Sequence, residues 1–276
     1  MRIDEFSFKG IESGIYHLIC QTTGRQLLPQ MRSKTLTING KHGVYDFGNN
    51  DYAPIQHAKK IVYVGDDINE LRNRAHQIAA WLHSTKHEPL IFGDEPDKFY
   101  QARIPGGINL QSLLKIGECD ITFECQPMAD CIVDTGEDIA LDSDLPLGSD
   151  IMLDTIDNFT FDVTTPTTVT FENHGLIETG LRSQEGSKFN IEIAGSFTTL
   201  SITMNGKAIN YNEAASGTVT INNTNATIET NGINKMSVCT GDLIDFFEVV
   251  PGENEVIITG TGLNCSVLFD FRQQYL

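Results

Sequence analysis

The sequence predicts a mainly β protein: an N-terminal β-sandwich with one flanking α-helix, followed by a second β-sandwich or jelly roll. Three observations support this class. Ile, Val, Thr and Phe alternate with polar residues over most of the chain. One segment has helical periodicity, and turn pairs such as Asn39-Gly40 and Asn205-Gly206 separate the alternating stretches. A hydrophobic content of 40% in 276 residues is sufficient for packed cores.

The predicted helix covers residues 68–84, where apolar residues recur at steps of three and four. This stripe consists of Ile68, Leu71, Ala75, Ile78, Ala79 and Leu82. Asp66 and Asp67 precede the helix and can cap its first amides, and Pro89 prevents its continuation. Trp81 is expected in the domain core rather than at a ligand site.

Nine stretches are predicted as strands because they alternate with period two or form short apolar runs. They are Lys34–Ile38, Lys60–Val64, Gly117–Cys125, Thr167–Glu172, Phe189–Ile193, Leu200–Met204, Thr218–Ile221, Glu255–Thr259 and Ser266–Phe271. Asn205-Gly206 predicts a two-residue hairpin. The short strands of residues 155–271, at roughly ten-residue spacing, are typical of a sandwich.

Charge is distributed unevenly along the chain. Residues 1–129 hold 14 Lys and Arg against 15 Asp and Glu, whereas residues 130–276 hold 5 against 22. This asymmetry predicts two domains with different surfaces. We place the first at 1–133 and the second at 151–276, with an acidic linker at 134–150. The acidic second half would repel phosphate backbones, which argues against recognition of nucleic acid.

The stretch from Arg25 to Pro54, here called the arm, is irregular and has few residues for a core of its own. A lone two-stranded excursion is only marginally stable in water. The arm is therefore expected to gain order by lying on a neighbouring subunit. The residues predicted for this inter-subunit contact are Arg25, Leu27, Leu28, Met31, Leu36, Ile38, His42, Tyr45, Phe47 and Tyr52.

The sequence contains no nucleophile elbow, P-loop, dinucleotide-binding glycine motif or zincin motif. We predict no catalytic, cofactor-binding or metal-ligating residue, and no enzyme activity. His83 and His87 have a spacing that would suit a metal on a helix, but the helix ends there, so solvated histidines are expected. The six cysteines form no CxxC pair and are expected as small buried hydrophobes.

Two acidic clusters are predicted to be structural. Asp134, Asp138, Asp142, Asp144 and Asp150 lack the spacing of a calcium loop and are expected in the solvated linker. The acids of FGDEPDKFY at 92–100 are expected to form a turn with capped amides. No apolar run approaches the ~20 residues that span a bilayer, and the N-terminus does not look like a signal peptide. We expect no membrane insertion.

FGDEPDKFYQARI, which follows a helix ending in IAAWL, resembles the distal tail protein (Dit) family of long-tailed phages and prophages. Other pieces resemble the same family in the same order along the chain. They are Phe6-x-Phe8-Lys9-Gly10, Tyr52-x-Pro54, Ile61–Val64, Gly117-x-x-x-Ile121-x-Phe123 and Phe269-x-Phe271-Arg272-x-x-Tyr275-Leu276. The resemblance covers the chain from end to end and is densest at residues 1–130 and 250–276.

The resemblance implies a tail-tube-like first domain and a galectin-like second domain. It also implies a homohexameric ring at the virion tail tip, or baseplate, made in the host bacterial cytoplasm. The ring would join the tail tube and tape-measure end to the hub protein and, in some phages, to receptor-binding proteins. The arm lies where the family has a belt that embraces the next subunit.

Two other classes of function stay open at this point. One is a carbohydrate-binding module or adhesin that recognises cell-wall polysaccharide, and the other is a hydrolase with unrecognised acids. A sugar site needs an exposed aromatic side chain together with converging polar groups. The second half has no Trp, and its phenylalanines alternate as core residues do. Tyr211 is the one aromatic residue expected to be exposed there before the C-terminus.

Overall fold

The chain folds into two compact units that are built mainly of strands. The computed structural model describes residues 2–47, 51–113, 115–136 and 159–276. The first unit comprises Met1–Ala129 and Leu276, and the second comprises Asp130–Tyr275. The mainly β class predicted from the sequence is confirmed. Within the described ranges, no helix is long and apolar enough to cross a membrane.

The first unit is organised around one large sheet. The strands of this unit are β1 (Phe6–Phe8), β2 (Ile11–Glu12), β3 (Ile19–Arg25), β4 (Met31–Arg32), β5 (Thr35–Leu36), β6 (Tyr45–Asp46), β7 (Asp51–Tyr52), β8 (Ile55–Val64), β9 (Glu88–Phe92), β10 (Glu95–Arg103), β11 (Leu110–Leu113) and β12 (Ile116–Cys131). The order in the sheet is β2-β1-β9-β10-β12-β8-β3, and β11 pairs with β12. A 3-10 helix spans Ser13–Tyr16.

This sheet curves over itself and encloses the core of the first unit. β9 and β10 separate β1 from β12 in the sheet, yet the ring of Phe6 on β1 lies 5.4 Å from the ring of Phe123 on β12. Phe8 approaches the same ring at 5.5 Å. Large aromatic side chains dominate core energetics because each removes much apolar area from water. The sandwich predicted for the first domain is thus formed by one folded sheet.

The helix α1 spans Ile68–Leu82, two residues shorter at its end than predicted. Asp67 caps it, as expected, because its Oδ1 accepts hydrogen bonds from the amides of Asn69 and Glu70 at 2.8 Å each. An ion pair between Glu70 and Arg74, 2.9 Å long, follows on the next turn. Pairs of this spacing add a few tenths of a kcal/mol, about 0.2–0.5, to helix stability.

The buried face of α1 is narrower than the predicted stripe. Leu71, Ile78 and Leu82 are buried, whereas Ile68 and Ala79 are exposed. The difference arises because the helix rests on the sheet through the face that also carries Trp81.

Trp81 is a core residue, as the sequence predicted. Its Nε1 donates a hydrogen bond to the carbonyl oxygen of Phe8 at 3.0 Å. Its ring stacks between those of Phe6 and Tyr16, with centroid distances of 5.4 and 4.8 Å. A buried indole needs a partner for its N–H, and Trp81 has one.

The acidic segment between β9 and β10 forms a turn only in part. Gly93 and Asp94 make the turn, whereas Glu95 and Asp97 already belong to β10. A Cβ at Gly93 would lie 1.9 Å from the carbonyl oxygen of Arg2, so the close approach of the two backbones requires glycine. The expectation that all three acids share the turn is wrong for Glu95 and Asp97.

The second unit is a sandwich of two sheets. Its strands are β13 (Thr160–Val163), β14 (Thr167–Asn173), β15 (Phe189–Phe197), β16 (Thr199–Met204), β17 (Lys207–Tyr211), β18 (Ala215–Asn222), β19 (Thr227–Thr230), β20 (Ile233–Asn234), β21 (Cys239–Gly241), β22 (Gly252–Thr261), β23 (Asn264–Phe271) and β24 (Gln274–Tyr275). One sheet has the order β13-β23-β15-β18-β19-β20 and the other β14-β22-β16-β17-β21. A second 3-10 helix spans Met236–Val238.

The two sheets of the second unit share one apolar core. Phe171 on β14 and Phe269 on β23 belong to different sheets, and their rings lie 4.8 Å apart. The predicted hairpin is present, since Met204 pairs with Lys207 around Asn205 and Gly206. Both loop residues have positive φ, +48° and +83°, as a type I′ turn requires. Eight of the nine predicted strands lie within observed strands, and Lys34–Ile38 is shortened to Thr35–Leu36.

The expectation that Tyr211 is exposed is wrong. Tyr211 follows Ile209 at a spacing of two, so both side chains lie on the inner face of β17. Tyr211 is buried, and its hydroxyl shares a hydrogen bond of 2.8 Å with that of Thr230. Tyr211 therefore offers no platform on which a sugar could stack.

The cysteines lie among apolar side chains, as predicted, although Cys20 is only half buried. Burial raises the pKa of the Cys119 and Cys239 thiols to about 11. Thiols with raised pKa values are poor nucleophiles.

The first and last residues of the second unit bind one another. The Cys131 amide donates to the carbonyl oxygen of Gln273 at 2.9 Å, and the Gln274 side chain donates to Asp130 at 2.8 Å. Asp134, expected in the solvated linker, is buried and pairs with Lys188 at 2.9 Å. Asp134 is therefore buried rather than solvated, because its carboxylate is paired with Lys188. Asp138, Asp142, Asp144 and Asp150 lie outside the described residues.

Candidate functional site

The arm leaves the first unit between two neighbouring strands. Arg25 pairs with His57 where β3 ends and β8 begins. One step further, the Gln26 amide donates to the carbonyl oxygen of Gln56 at 3.3 Å, and the Gln56 amide donates to Oε1 of Gln26 at 3.1 Å. The two ends of the arm are therefore fixed side by side.

Within the arm, the chain forms two short ladders. β4 pairs with β7, and β5 pairs with β6. Two further backbone hydrogen bonds support them, from Ala53 to Gln30 at 2.8 Å and from Phe47 to Lys34 at 3.1 Å. The described part of the arm thus resembles a long, irregular hairpin. Such a hairpin has two strands and no second layer of its own, so it is marginally stable in isolation.

The arm exposes most of its apolar side chains. Eight of them are between 44% and 83% exposed: Leu27, Leu28, Met31, Leu36, Ile38, Val44, Tyr45 and Phe47. His42 is exposed as well, and Tyr52 is half buried. Contiguous apolar surface on a folded chain is a sign of a contact with another molecule. Val44 was not among the predicted contacts, although the alternation of residues 44–47 could have indicated it.

A shallow depression of about 250 Å³ lies near the tip of the arm. It is lined by Leu36, Ile38, Lys41, His42, Gly43, Val44, Tyr45 and Asp46. The Lys41 ammonium lies 4.4 Å from the centre of the Tyr45 ring. Small-molecule sites are typically concave and enclose about 300–1,000 Å³. This depression is smaller and open, which favours contact with a protein surface.

Arg25 differs from the other predicted contact residues because it is bound within its own unit. Its guanidinium donates to Asp94 at 2.7 Å and also pairs with Glu95. The same group lies 4.8 Å from the centre of the Phe92 ring. Asp94 and Glu95 thus hold the root of the arm against β9 and β10.

A buried histidine and a buried lysine lie beneath this root. The His57 ring contacts those of Phe92 and Tyr100 at 5.2 and 5.0 Å, and neither ring nitrogen has a hydrogen-bond partner among the described residues. Burial, with the charges of Arg25 and Lys59, lowers the pKa of His57 to about 4. Burial also lowers the pKa of Lys59. The period-two pattern of β8 could have placed both side chains in the core.

The described residues contain no group of three His, Cys, Asp or Glu side chains that could hold a metal ion. His83 follows the last residue of α1 and is exposed. Its carbonyl oxygen accepts a hydrogen bond from the Lys9 ammonium. The Lys9 side chain therefore caps the C-terminal end of α1.

Two family models match the chain, one in each unit. Residues 13–125 match the phage tail protein RIFT-related domain. Residues 183–275 match the C-terminal domain of the siphovirus-type tail component. Both descriptions name structural components of phage tails. No curated protein matches the chain.

Among solved structures, the chain is similar to the crystal structure of the Dit protein (gp 19.1) of phage SPP1. The match has a TM-score of 0.70 and 17% sequence identity, and it covers 99% of each chain. That protein is described as a paradigm of the hub adsorption apparatus in phages that infect Gram-positive bacteria. At this identity the similarity concerns the fold, and it confirms the mainly β class with one helix.

Proposed function

Because this chain belongs to the distal tail protein family of siphophages, we propose that six copies of it form a closed ring at the end of the tail. A member of this family is a structural component of the virion tail. In the proposed ring, each arm lies on the next copy. The ring joins the tail tube and the tape-measure end to the hub and to other tail-tip or adsorption proteins.

The exposed apolar arm is the observation that carries this proposal. Apolar surface in water costs roughly 25 cal/mol per Å² relative to buried surface. The eight exposed side chains of the arm would recover that free energy on a neighbour. A contact between an arm and a different surface of the next copy is heterologous, and such contacts close into rings when the rotation fits.

The size of the arm also supports a stable contact. A standard interface buries about 1,200–2,000 Å² in total and involves about 20–30 residues per side. The arm, residues 25–54, has that size. Once several contacts have formed, the remaining ones close at high effective concentration, so the ring is reinforced as a whole.

Native mass spectrometry and negative-stain microscopy of the full chain test the proposal. We expect a species of six chain masses and six-fold rings with a central channel at micromolar concentration or above. The double variant Leu36→Glu with Tyr45→Glu should remove these species while leaving the fold intact. Ile244→Glu, at a highly exposed isoleucine of the second unit, is the matched control and should retain them.

Ring formation can also require the proteins that flank the ring in the tail. A second experiment therefore mixes the chain with the hub protein of the same phage. A chain that stays monomeric at all concentrations, and that forms no ring with the hub protein, would overturn the proposal.

A further inference from the structure

We propose that the arm of one copy is received by an apolar patch on the first unit of the next copy, formed by Ile19, Val62, Val64 and Ile116. We call these four residues the acceptor patch. The proposal rests on the proposed function, because it assumes that the arm contacts a second copy. It adds the surface on which the arm lands.

Three neighbouring strands bring the acceptor patch together. Ile19 on β3 pairs with Val62 on β8, and Val64 on β8 pairs with Ile116 on β12. Paired residues of neighbouring strands lie on the same face of a sheet, as do residues two apart on one strand. The four side chains therefore lie together on one face.

This face is open to solvent. Ile19, Val64 and Ile116 are 64%, 51% and 46% exposed, and Val62 is half buried. The alternate residues Ile61 and Tyr63 point into the core. The acceptor patch is thus an apolar end of a sheet face. The face becomes polar at Glu118, which pairs with Val62 across the strands and forms an ion pair with Lys60.

The arm and the acceptor patch lie at opposite ends of the same strands. The arm begins after Arg25, whereas Ile19 is the first residue of β3. Seven residues of strand separate the two by about 20 Å. A head-to-tail contact requires the donor and the acceptor to lie on different surfaces of the subunit.

The outgoing branch of the arm and the acceptor patch differ in charge. Residues 26–41, the outgoing branch, carry Arg32, Lys34 and Lys41 and no carboxylate, whereas the returning branch carries Asp46 and Asp51. The acids Asp66, Asp67, Glu118 and Asp120 lie around the acceptor patch, against the cations Lys60, Arg74 and Lys115. Complementary rims steer encounter and set the register of an interface, while its apolar centre supplies most of the affinity.

Photo-crosslinking identifies the landing surface directly. A benzoylphenylalanine placed at Leu36 of an otherwise unchanged chain is mixed with an equal amount of nitrogen-15-labelled chain and irradiated. We expect crosslinks between labelled and unlabelled copies at peptides that contain residues 19, 62–64 or 116. Crosslinks to other peptides of a second copy, or the absence of crosslinks between copies, would overturn the acceptor patch.

A complementation experiment tests the head-to-tail geometry. The acceptor variant Ile19→Asp with Ile116→Glu should lose the ring and raise the dissociation constant between copies by at least about tenfold. Mixed with the arm variant Leu36→Glu with Tyr45→Glu, it should form one-to-one dimers only, because each pair retains one intact contact. Ile3→Glu, at an exposed isoleucine outside the patch, is the matched control and should keep the ring.

The outcomes separate this inference from the proposed function. If the acceptor variant keeps its ring while the arm variant loses it, the acceptor patch is wrong and the proposed function stands. If both variants keep their rings, the role of the arm is wrong as well. If the acceptor variant fails to fold, as Trp81 fluorescence would reveal, the crosslinking result decides.

Discussion

The arm and the Asn205-Gly206 hairpin are both two-stranded and antiparallel, yet their apolar side chains meet different surroundings. Ile202 and Ile209, which pair across β16 and β17, are buried. Leu36 and Tyr45, which pair across β5 and β6, are exposed. Pairing alone does not bury a side chain. The second sheet of the sandwich covers the hairpin of β16 and β17, and among the described residues nothing comparable covers the arm.

The comparison teaches that a surplus of exposed apolar residues in an ordered segment is informative about other molecules. A sandwich recovers the free energy of its apolar side chains within one chain. The apolar side chains of the arm can recover this free energy only by contact with another surface. The four predictions below compare the unit that carries the arm with the unit that contains the hairpin.

The largest difference is expected between matched truncations. Ile202→Ala should lower the free energy of unfolding by about 2–5 kcal/mol, since it leaves a cavity in the core. Leu36→Ala in the arm should change it by about 0.5 kcal/mol or less in the monomer. Calorimetry of dilute protein checks both. Equal losses at the two positions would mean that the arm packs on its own chain.

Acid should destabilise the first unit through His57. Its pKa is about 4 in the fold, below the value of about 6.5 expected in an unfolded chain. Above pH 6.5 the group is neutral in both states and has no effect. As the pH falls from 6.5 to 4 the unfolded chain binds the proton first, which costs up to about 3 kcal/mol of stability.

Urea unfolding followed by Trp81 fluorescence at pH 7 and pH 4 measures this loss. His57→Leu removes the titrating group and keeps an apolar side chain beneath the root of the arm, so the variant should lose less stability over this range. Parallel curves for the two proteins would contradict the assignment.

Asp130 should act with the opposite sign in the second unit. Burial raises the pKa of this carboxyl to about 6, although Gln274 and Gln184 donate to it. Its unfolded value is about 3.9. Stability is therefore full below about pH 4 and falls as the pH rises to about 6, by up to about 3 kcal/mol.

Asp130→Asn should raise the thermal midpoint at pH 7 and have little effect at pH 4. Circular dichroism records unfolding of both units, and parallel Trp81 fluorescence separates the transition of the first. A gain for Asp130→Asn that is the same at both pH values would show that the carboxyl does not titrate as described.

The smallest effect is expected at the root of the arm. Arg25→Met removes the ion pairs to Asp94 and Glu95, which are partly exposed. Such pairs contribute roughly 0.2–1 kcal/mol. Hydrogen exchange of the Gln26 and Gln56 amides should accelerate, while Trp81 fluorescence stays unchanged. Unaltered exchange would mean that the backbone pairing alone holds the root.

Local features of the fold could be predicted from sequence because a few neighbouring residues determine them. Asn205-Gly206 accepts the positive φ of its turn without help, and Asp67 caps α1 through amides two and three residues away. The exposure predicted for Tyr211 is wrong because its hydroxyl has a partner inside the sandwich. The partner of that hydroxyl, Thr230, comes from another sheet, which periodicity does not reveal.

The candidate site was predictable in outline only. The arm could be identified because its sequence holds too few apolar residues for a core of its own. The ion pairs of Arg25 could not be predicted, because they join residues about 70 positions apart. The acceptor patch needs the register of three strands, and no pattern within one strand contains that information. Buried groups such as His57 also gain their properties from neighbours distant in sequence.

The adjoining ends of the second unit have a consequence for how such proteins diversify. Asp130 and Gln274 are 144 positions apart in the chain and yet touch. A domain whose entry and exit are neighbours can be excised, replaced or enlarged by recombination without stretching the chain on either side. The two ends of the second unit therefore have the geometry of a domain whose replacement leaves its attachment point to the first unit unchanged.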